Sequence, residues 1–272
     1  MTKQFTEIIN EFKNNIEEEK EKRIKFIKDT MEQIGAKGVV LGMSGGIDCS
    51  TVGRLFQEAG IDVILVLMPK GGSMSFAGDY SDALDYIEKF NFKYLEVPIT
   101  KVYNELLDNM TFDKETAYLS QPKITNIDDN KIKILDIAKA NISPRLRMTI
   151  LYTLAQSKGY LVAGTGNLSE RTMGYFTKWG DGACDINPIA DLTKTQVRIL
   201  AKALDVPERI VNKAPSANLW EGQTDEDEMG LTYAELDEYI LTGRATDKVK
   251  EKIESTKKKV AHKINPIITY QE

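Results

Sequence analysis

The sequence predicts an α/β fold in which a parallel sheet carries helices on both faces. Four short apolar runs have the length and composition of buried strands, stretches with helical periodicity separate them, and glycine-rich turns follow two of the runs. Strands that alternate with helices pair in parallel, because a parallel crossover needs a connection long enough to return the chain. Ligands of such sheets gather beyond the carboxyl ends of the strands, so the turns that follow those ends are the candidate sites of chemistry.

From the start of the chain, Phe5, Ile8, Ile9, Phe12 and Ile16, then Ile24, Ile27, Met31 and Ile34, recur at intervals of three or four, the period of one helical face. Between them, Glu17 to Arg23 is a charge run in which Glu18/Lys22, Glu19/Arg23 and Glu21/Lys25 pair at i,i+4, as on a solvated helix face. The first strand is Gly38-Val39-Val40-Leu41-Gly42-Met43, and a helix follows from Val52 to Ala59. A second strand, Asp62 to Met68, stops at Pro69. Helical spacing from Tyr80 to Phe90 leads to a third strand, Lys93 to Val97. Thr111 to Lys133 mixes turn residues with scattered apolar side chains and reads as a loop. A helix from Arg145 to Ser157 precedes the fourth strand, Tyr160 to Gly164. Thr193-Lys194-Thr195-Gln196 is a capping box that opens a helix over Val197 to Leu204. Ser216 to Gly230, with Asp225-Glu226-Asp227-Glu228, reads as an acidic connector before a short helix from Tyr233 to Leu241. From Thr246 the spacing of Val249, Ile253, Val260 and Ile264 marks a last amphipathic helix. No internal repeat or linker divides residues 1–272, which read as a single domain.

The 272 residues are 42% hydrophobic and 28% charged. A fold of that size buries about three-quarters of its unfolded surface, so a core is available without staples. One histidine, His262, and two cysteines without a Cys-x-x-Cys pattern exclude the usual structural zinc site and a clustered histidine centre. So few thiols suit the cytosol. The net charge of −5, from 36 Lys+Arg and 41 Asp+Glu, argues against non-specific nucleic-acid binding. The N-terminus carries no apolar signal region, and no apolar run approaches the roughly 18 residues of a membrane span. The expectation is a cytoplasmic protein with neither nucleic acid nor membrane as partner.

Ser44-Gly45-Gly46-Ile47-Asp48-Cys49-Ser50 lies between the first strand and the next helix. In that setting backbone N–H groups and a helix N-terminus cradle an anion, and adjacent glycines let the backbone approach phosphate closely. The segment is not a Walker A loop, which needs Gly-x-x-x-x-Gly-Lys-Ser/Thr, nor a dinucleotide fingerprint. Asp48 is the odd residue, because a carboxylate among phosphate-binding amides repels the ligand unless a cation lies between them. Magnesium resolves the conflict, since it prefers oxygen ligands and bridges carboxylate to phosphate. Read as structure alone, the same residues make a tight turn with Asp48 capping the helix.

The loop resembles that of the ATP pyrophosphatase group, whose Ser-Gly-Gly-x-Asp-Ser segment grips the pyrophosphate end of ATP while the α-phosphorus is attacked. Cys49 stands where the group has its serine. A weak thiol donor there bears on any contact of that side chain and not on the backbone contacts. With no histidine close in sequence, and in a group that uses none, Cys49 does not read as a nucleophile.

Gly164-Thr165-Gly166-Asn167-Leu168-Ser169-Glu170 follows the fourth strand, so Thr165 and the glycines open onto the ligand side of the sheet. Glu170, at or just before a helical turn, offers a second carboxylate to a metal. Next, in Tyr175 to Pro188, aromatic residues flank Lys178, Gly180 and Gly182 bracket Asp181, and Asp185 follows. That is the composition of a binding loop, with a plain surface turn as the alternative. Cys184 is most simply a small buried residue. Lys194 falls in a first helical turn, where a cation is unfavourable to the dipole. An anion beside it compensates, so the helix N-terminus and Lys194 suit a phosphate, with a solvated lysine as the alternative.

Together the Ser-Gly-Gly-x-Asp loop, the Gly164 to Glu170 segment, Phe176-Thr177-Lys178-Trp179-Gly180-Asp181-Gly182 and Lys213-Ala214-Pro215-Ser216 resemble the NAD synthetase family, over about residues 35 to 265. The resemblance implies a Rossmann-like, adenine nucleotide hydrolase-like fold in one synthetase domain, 1–272. It implies that Gly42, Met43, Ser44, Gly45, Gly46, Ile47, Asp48 and Cys49 form the ATP loop, with Thr165, Lys194 and Ser216 as further ATP contacts and Asp48 and Glu170 as magnesium ligands. Ser216 replaces a more usual threonine and keeps the hydroxyl. Arg145, Lys178, Asp185, His262 and Lys263 match positions that hold the second substrate, deamido-NAD, and Asp181 matches an aspartate associated with ammonia. Arg145 also reads structurally, because Ser143-Pro144-Arg145 has the form of an N-cap, a proline at N1 and the next helical residue. Without the resemblance, His262 reads as a solvent-facing helix residue.

The implied reaction is amidation of deamido-NAD to NAD through an acyl-adenylate, with release of pyrophosphate and AMP. Asp48, Lys194 and Asp181 are its candidate catalytic residues. A chain filled by the synthetase region leaves no room for a glutamine amidohydrolase, so free ammonia is the expected donor. A homodimer with deamido-NAD near the subunit interface is implied as well. The rivals are another amidating or thiolating ATP pyrophosphatase, which would carry a different substrate block after the loop, and a nucleotide-binding regulatory module without turnover, which leaves two separated carboxylates and Lys194 unexplained.

Overall fold

The computed structural model describes residues 1–71, 74–110, 112–113, 118–119, 132–133, 136–214 and 224–270. Two helices, α1 (Lys3–Asn14) and α2 (Ile16–Ile34), precede β1 (Gly38–Gly42), α3 (Ile47–Glu58), β2 (Asp62–Leu67), α4 (Met74–Phe90), β3 (Lys93–Glu96) and α5 (Thr100–Asn109). The two-residue strands β4 (Phe112–Asp113), β5 (Tyr118–Leu119) and β6 (Ile132–Lys133) come next. They are followed by α6 (Asp136–Ala140), α7 (Ile142–Lys158), β7 (Leu161–Val162), α8 (Leu168–Met173), α9 (Lys194–Ala203), α10 (Glu208–Val211), α11 (Asp225–Met229), α12 (Tyr233–Thr242) and α13 (Asp247–Ile264).

The four expected strands form one parallel sheet in the order β3-β2-β1-β7, with Gly38 opposite Asp62 and Val39 opposite Leu161. A parallel bridge between Ala163 and Ile186 extends its edge beside β7. Strand β1 is central and buried on both faces, hence its unbroken apolar run. Its side chains still alternate. Val39 and Leu41 face a large core with Val63, Leu65 and Leu67, built under α2, α3, α4 and α9. Val40 faces Val66, Met68, Ile99 and Val162 in a smaller core under α7. A third cluster, Met173, Met229, Leu231, Tyr233, Leu236 and Ile253, packs α11, α12 and α13 against α8. At the amino ends of the strands, Asp62 Oδ1 meets Lys93 Nζ at 2.8 Å and Asp62 Oδ2 accepts from the Tyr160 hydroxyl at 2.5 Å, joining the β2, β3 and β7 ends.

Several expectations change. The apolar period from Phe5 to Ile34 spans two helices that break at Asn15. Glu18/Lys22 and Glu19/Arg23 pair as expected, at 2.9 and 3.7 Å, but the charge run is not solvated throughout. Arg23 is buried, and its guanidinium donates to the Pro188 carbonyl at 2.8 Å and grips Asp191 at 2.7 and 2.9 Å. The Thr111 to Lys133 loop contains a small antiparallel sheet, β4-β5-β6, whose strands are too short to register as periodicity. Within the acidic connector, Asp225 to Met229 is helical. Thr224 caps it by accepting from the Asp227 N–H, and the acidic residues sit in the first turn, where they complement the helix dipole. Helix α7 begins one residue before Ser143, with Asn141 at the N-cap. Ser143 is buried and its hydroxyl caps nothing, so the capping reading of Ser143-Pro144-Arg145 fails.

Candidate active site

The turn after β1 is shaped by two glycines in different roles. Gly45 has φ of +83°, and a Cβ there would stand 2.1 Å from the Asp79 carbonyl oxygen of α4, so a side chain is excluded on both counts. Gly46 is extended and serves as the N-cap of α3, with its N–H donated to Ser44 Oγ at 3.2 Å. The helix starts at Ile47, earlier than its apolar spacing suggests, which puts Asp48 in the first turn. Among the described residues, the N–H groups of Ile47, Asp48 and Cys49 have no acceptor. Three free donors at a helix N-terminus are the makings of an anion cradle. The Cys49 thiol is buried and turned into the loop itself, 3.1 Å from the Gly46 carbonyl and 3.3 Å from Ser44 Oγ.

Asp48 does not cap the helix. Its Oδ1 accepts from Asn167 Nδ2 at 3.0 Å and its Oδ2 from Lys194 Nζ at 2.6 Å. The same ammonium reaches Glu170 Oε1 at 3.1 Å. Asn167 and Glu170 form a capping box on α8: Asn167 accepts from the Glu170 N–H at 3.0 Å, and Glu170 Oε2 accepts from the Asn167 N–H at 3.2 Å. One oxygen of Glu170 thus fixes its helix while the other faces Lys194. Lys194 is only 3% exposed, and it opens α9. Burial opposes its charge, but Asp48 and Glu170 outweigh burial and hold the proton more tightly than in water. Burial raises the Glu170 carboxyl, with the Asp48 charge adding to the effect against the pull of Lys194. The aromatic ring of Tyr233 lies 5.3 Å from Lys194 Nζ, and its hydroxyl donates to Asp225 Oδ2 at 3.0 Å.

The solvated-lysine reading of Lys194 is overturned, and so is the phosphate at the α9 N-terminus. The first N–H groups of α9 are already bonded: Lys194 N to Ser169 Oγ at 3.0 Å, Thr195 N to Asp237 Oδ2 at 2.7 Å and Gln196 N to Thr193 Oγ1 at 3.4 Å. What compensates the lysine in that first turn is carboxylate. Two carboxylates converging on one ammonium also mark a point where positive charge is stabilised, and their oxygens suit magnesium. Among the described residues no group of three or more His, Cys, Asp or Glu gathers to hold a metal. A two-carboxylate site fits magnesium shared with phosphates, and not a metal held by protein alone.

A second group of predicted residues meets around the 174–182 loop. Lys263 Nζ donates to the carbonyls of Gly174 and Phe176 at 2.7 and 2.8 Å. Lys178 Nζ donates to the His262 carbonyl at 2.5 Å, and Arg145 Nε to the Lys178 carbonyl at 3.3 Å. Asp181 Oδ1 accepts from the Thr177 N–H at 2.9 Å. Trp179 is exposed on a backbone with φ of +61°, a sparsely populated conformation for a bulky residue. Burial lowers the Lys263 ammonium, with Asp181 opposing and the Arg145 charge adding to the fall. Asp185 stands apart at the sheet edge, where Val162 N–H and the Tyr152 hydroxyl donate to it at 2.8 and 3.2 Å. Thr165 lies half-buried just past the bridge that extends β7, and Ser216 lies outside the described residues.

Sequence reasoning missed Asn167 as a partner of Asp48, although Asn-x-x-Glu is a capping signature it could have used. It also missed Ser169, Tyr233 and Asp237 behind Lys194, and two cations at the end of β2. Arg147 Nε donates to the Met68 carbonyl at 3.2 Å, and Lys70 Nζ lies 3.7 Å from the Tyr103 ring centre.

Residues 19–272 match the family model described as NAD synthase. An NH(3)-dependent NAD(+) synthetase of Carboxydothermus hydrogenoformans is 40% identical over 250 residues, 92% of this chain and 95% of that protein. Among solved structures, an NMN synthetase from Francisella tularensis superposes with a TM-score of 0.83 at 35% identity, covering 94% of this chain and 99% of that one. An NH3-dependent NAD synthetase from Campylobacter jejuni, in complex with the nitrate ion, superposes at 0.70 with 27% identity, covering 94% and 99%.

Proposed function

The chain belongs to the NAD synthase family, and from that premise we propose that it amidates deamido-NAD to NAD with free ammonia, using ATP as co-substrate, in one synthetase domain. The observation that carries the reading is the meeting of Asp48, Glu170 and Lys194, from three separated segments, within 2.6 to 3.1 Å beside three N–H donors that no described residue occupies. A binding module needs the donors and not the buried charge cluster.

A nicotinate carboxylate is a poor acyl electrophile because its leaving group would be oxide. Attack of a carboxylate oxygen on the α-phosphorus of ATP expels pyrophosphate and leaves an acyl-adenylate. Ammonia then attacks the acyl carbon, and AMP departs with the electron pair. The N–H groups of Ile47, Asp48 and Cys49 hold phosphate oxygens, and Lys194 lends its charge to the departing pyrophosphate. When bound, magnesium is held by Asp48 and Glu170 and supplies positive charge against the phosphates. Thr165 and Ser216 are assigned to ATP. Arg145, Lys178, His262 and Lys263 bind the second substrate, together with Asp185. Asp181, with one oxygen on the Thr177 N–H, offers the other to the incoming ammonia. Catalysis is positioning and electrostatics without a covalent enzyme nucleophile.

One observation favours a second reading, in which the mononucleotide nicotinate compound replaces the dinucleotide: the likeness to an NMN synthetase at a TM-score of 0.83. The decisive assay supplies magnesium, ATP and ammonium with either deamido-NAD or nicotinate mononucleotide, and measures amide product, AMP and pyrophosphate. Faster turnover of deamido-NAD supports the first reading, and preference for the mononucleotide replaces it. ATP bound without cleavage under both conditions rejects both.

The proposal extends to a cytoplasmic homodimer. Among the described residues no helix is long and apolar enough to cross a membrane. Val102 and Leu106 of α5 and Ile137 of α6 are exposed apolar side chains that a second subunit would cover. A monomer in light scattering would remove the dimer from the reading.

A further inference from the structure

Lys194 and Glu170 sit at the starts of two different helices, and the bond chain that ties those helices together runs through a residue outside every motif. Asp237, on α12, has no solvent exposure. Its Oδ1 accepts from Ser169 Oγ at 2.5 Å and its Oδ2 from the Thr195 N–H at 2.7 Å. Ser169 Oγ accepts in turn from the Lys194 N–H at 3.0 Å. Ser169 immediately precedes Glu170 on α8, and Thr195 immediately follows Lys194 on α9. A single carboxylate therefore grips both helices at the residues next to the charge cluster, while Tyr233 of the same α12 lies against the Lys194 ammonium.

Burying a carboxylate is costly unless its bonds are made. The contact between α12 and α8 already has an apolar basis in Met173, Tyr233 and Leu236. The carboxylate adds direction, because hydrogen bonds fix the angle and register of the two helix starts where apolar packing tolerates small slides. Resting on the amidation reading above, we propose that Asp237 is a positioning residue: through Ser169 and the first turn of α9 it holds the Glu170 carboxylate and the Lys194 ammonium in register with Asp48.

The test compares wild type, Asp237→Asn, Ser169→Ala and the double variant. Asparagine keeps the size but turns one acceptor into a donor, so it cannot accept from both Ser169 and Thr195. With folding checked by circular dichroism at the assay temperature, Asp237→Asn is expected to lower kcat by about 10- to 100-fold while KM for deamido-NAD stays within about threefold. Ser169→Ala loses less, and the double variant is no worse than Asp237→Asn alone, since both substitutions cut one chain of bonds. The second readout needs no turnover: the electron paramagnetic resonance spectrum of Mn2+ bound with ATP is expected to change in Asp237→Asn. A folded Asp237→Asn with kcat and Mn2+ spectrum matching wild type overturns the proposal, as do losses that add in the double variant. If Asp237→Asn fails to fold, Ser169→Ala decides, and its indifference in both readouts overturns the proposal. A wild-type protein that forms no NAD rejects the amidation reading instead, and the Mn2+ spectra still decide the role of Asp237.

Discussion

Lys194 is a cation in the first turn of a helix, a placement the helix dipole opposes, and it is tolerated because Asp48 and Glu170 close on it. The arrangement makes the contributions of neighbouring residues separable. Asp48→Asn keeps the bond to Asn167 within reach but removes the charge that faces Lys194 and that the proposed reaction offers to magnesium, so kcat/KM is expected to fall by at least about 100-fold. Cys49→Ser is expected to stay within about threefold, because a hydroxyl makes the same contact with the Gly46 carbonyl that the thiol makes. Equal losses in steady-state kinetics would count against a metal role for Asp48. Lys194→Met leaves two half-buried carboxylates facing one another without the buried ammonium between them, and is expected to lower the melting temperature. A divalent cation restores the missing charge. Adding millimolar Mg2+ in the presence of ATP is therefore expected to raise the melting temperature of Lys194→Met more than that of wild type, by mass action on the folded state. A variant whose melting ignores Mg2+ in the presence of ATP would show that the two carboxylates are no cation site.

Among the elements, α2 is held to the site region by a polar grip that its sequence disguised. Arg23 sits in a run of seven charged residues whose pattern is that of a solvated face, and nothing local separates it from Lys22. Its partner is Asp191, 168 residues away, just before the capping box that opens α9. Partial desolvation opposes the charge of the largely exposed Asp191 carboxyl, but the buried Arg23 guanidinium outweighs it and holds the carboxyl below its ordinary value. A depressed carboxyl contributes stability that is present above the unfolded value, near 4, and lost as pH falls through the folded value. Asp191→Asn is expected to melt below wild type at pH 7, and the gap should begin to narrow as pH falls below the unfolded value, near 4, and close only below the folded value. A gap that does not narrow at all as pH falls through the acid range would mean the carboxylate charge is not what holds α2. The same contrast marks what could be read beforehand. All four sheet strands and the capping box of α9 announce themselves within a few residues, as apolar runs and Thr-x-x-Gln. The break at Asn15, the burial of Arg23 and the two-residue strands β4 to β6 depend on partners that lie elsewhere in the chain. Asp48 and Glu170 were legible as carboxylates at strand ends, whereas Asp237 is legible only once α12 has docked.

Across the whole molecule, the sheet separates stability from chemistry. The amino ends of β2, β3 and β7 are cross-tied by Asp62, Lys93 and Tyr160, while the carboxyl ends of β1 and β7 deliver the Ser44–Asp48 turn and the Asn167–Glu170 turn. Helix α13 then packs on the 174–182 loop from the far end of the chain. Its last turn carries Lys263, which reaches back 89 and 87 residues to the carbonyls of Gly174 and Phe176, while the His262 carbonyl receives Lys178. The 174–182 loop therefore takes its shape from α13, and the close approach of Gly174 to Val260 leaves no room for a Cβ between them. Because this contact shapes the loop proposed to hold the second substrate and leaves the Asp48–Lys194–Glu170 cluster alone, its loss should divide the two substrates. Lys263→Met keeps much of the stem length and removes the ammonium that donates to the two carbonyls and lies 5.4 Å from the Phe176 ring centre. It is expected to raise KM for deamido-NAD about tenfold while KM for ATP changes by less than about twofold. Parallel rises in both constants would mean that α13 supports the fold as a whole, and a change confined to ATP would move the second-substrate site away from this loop.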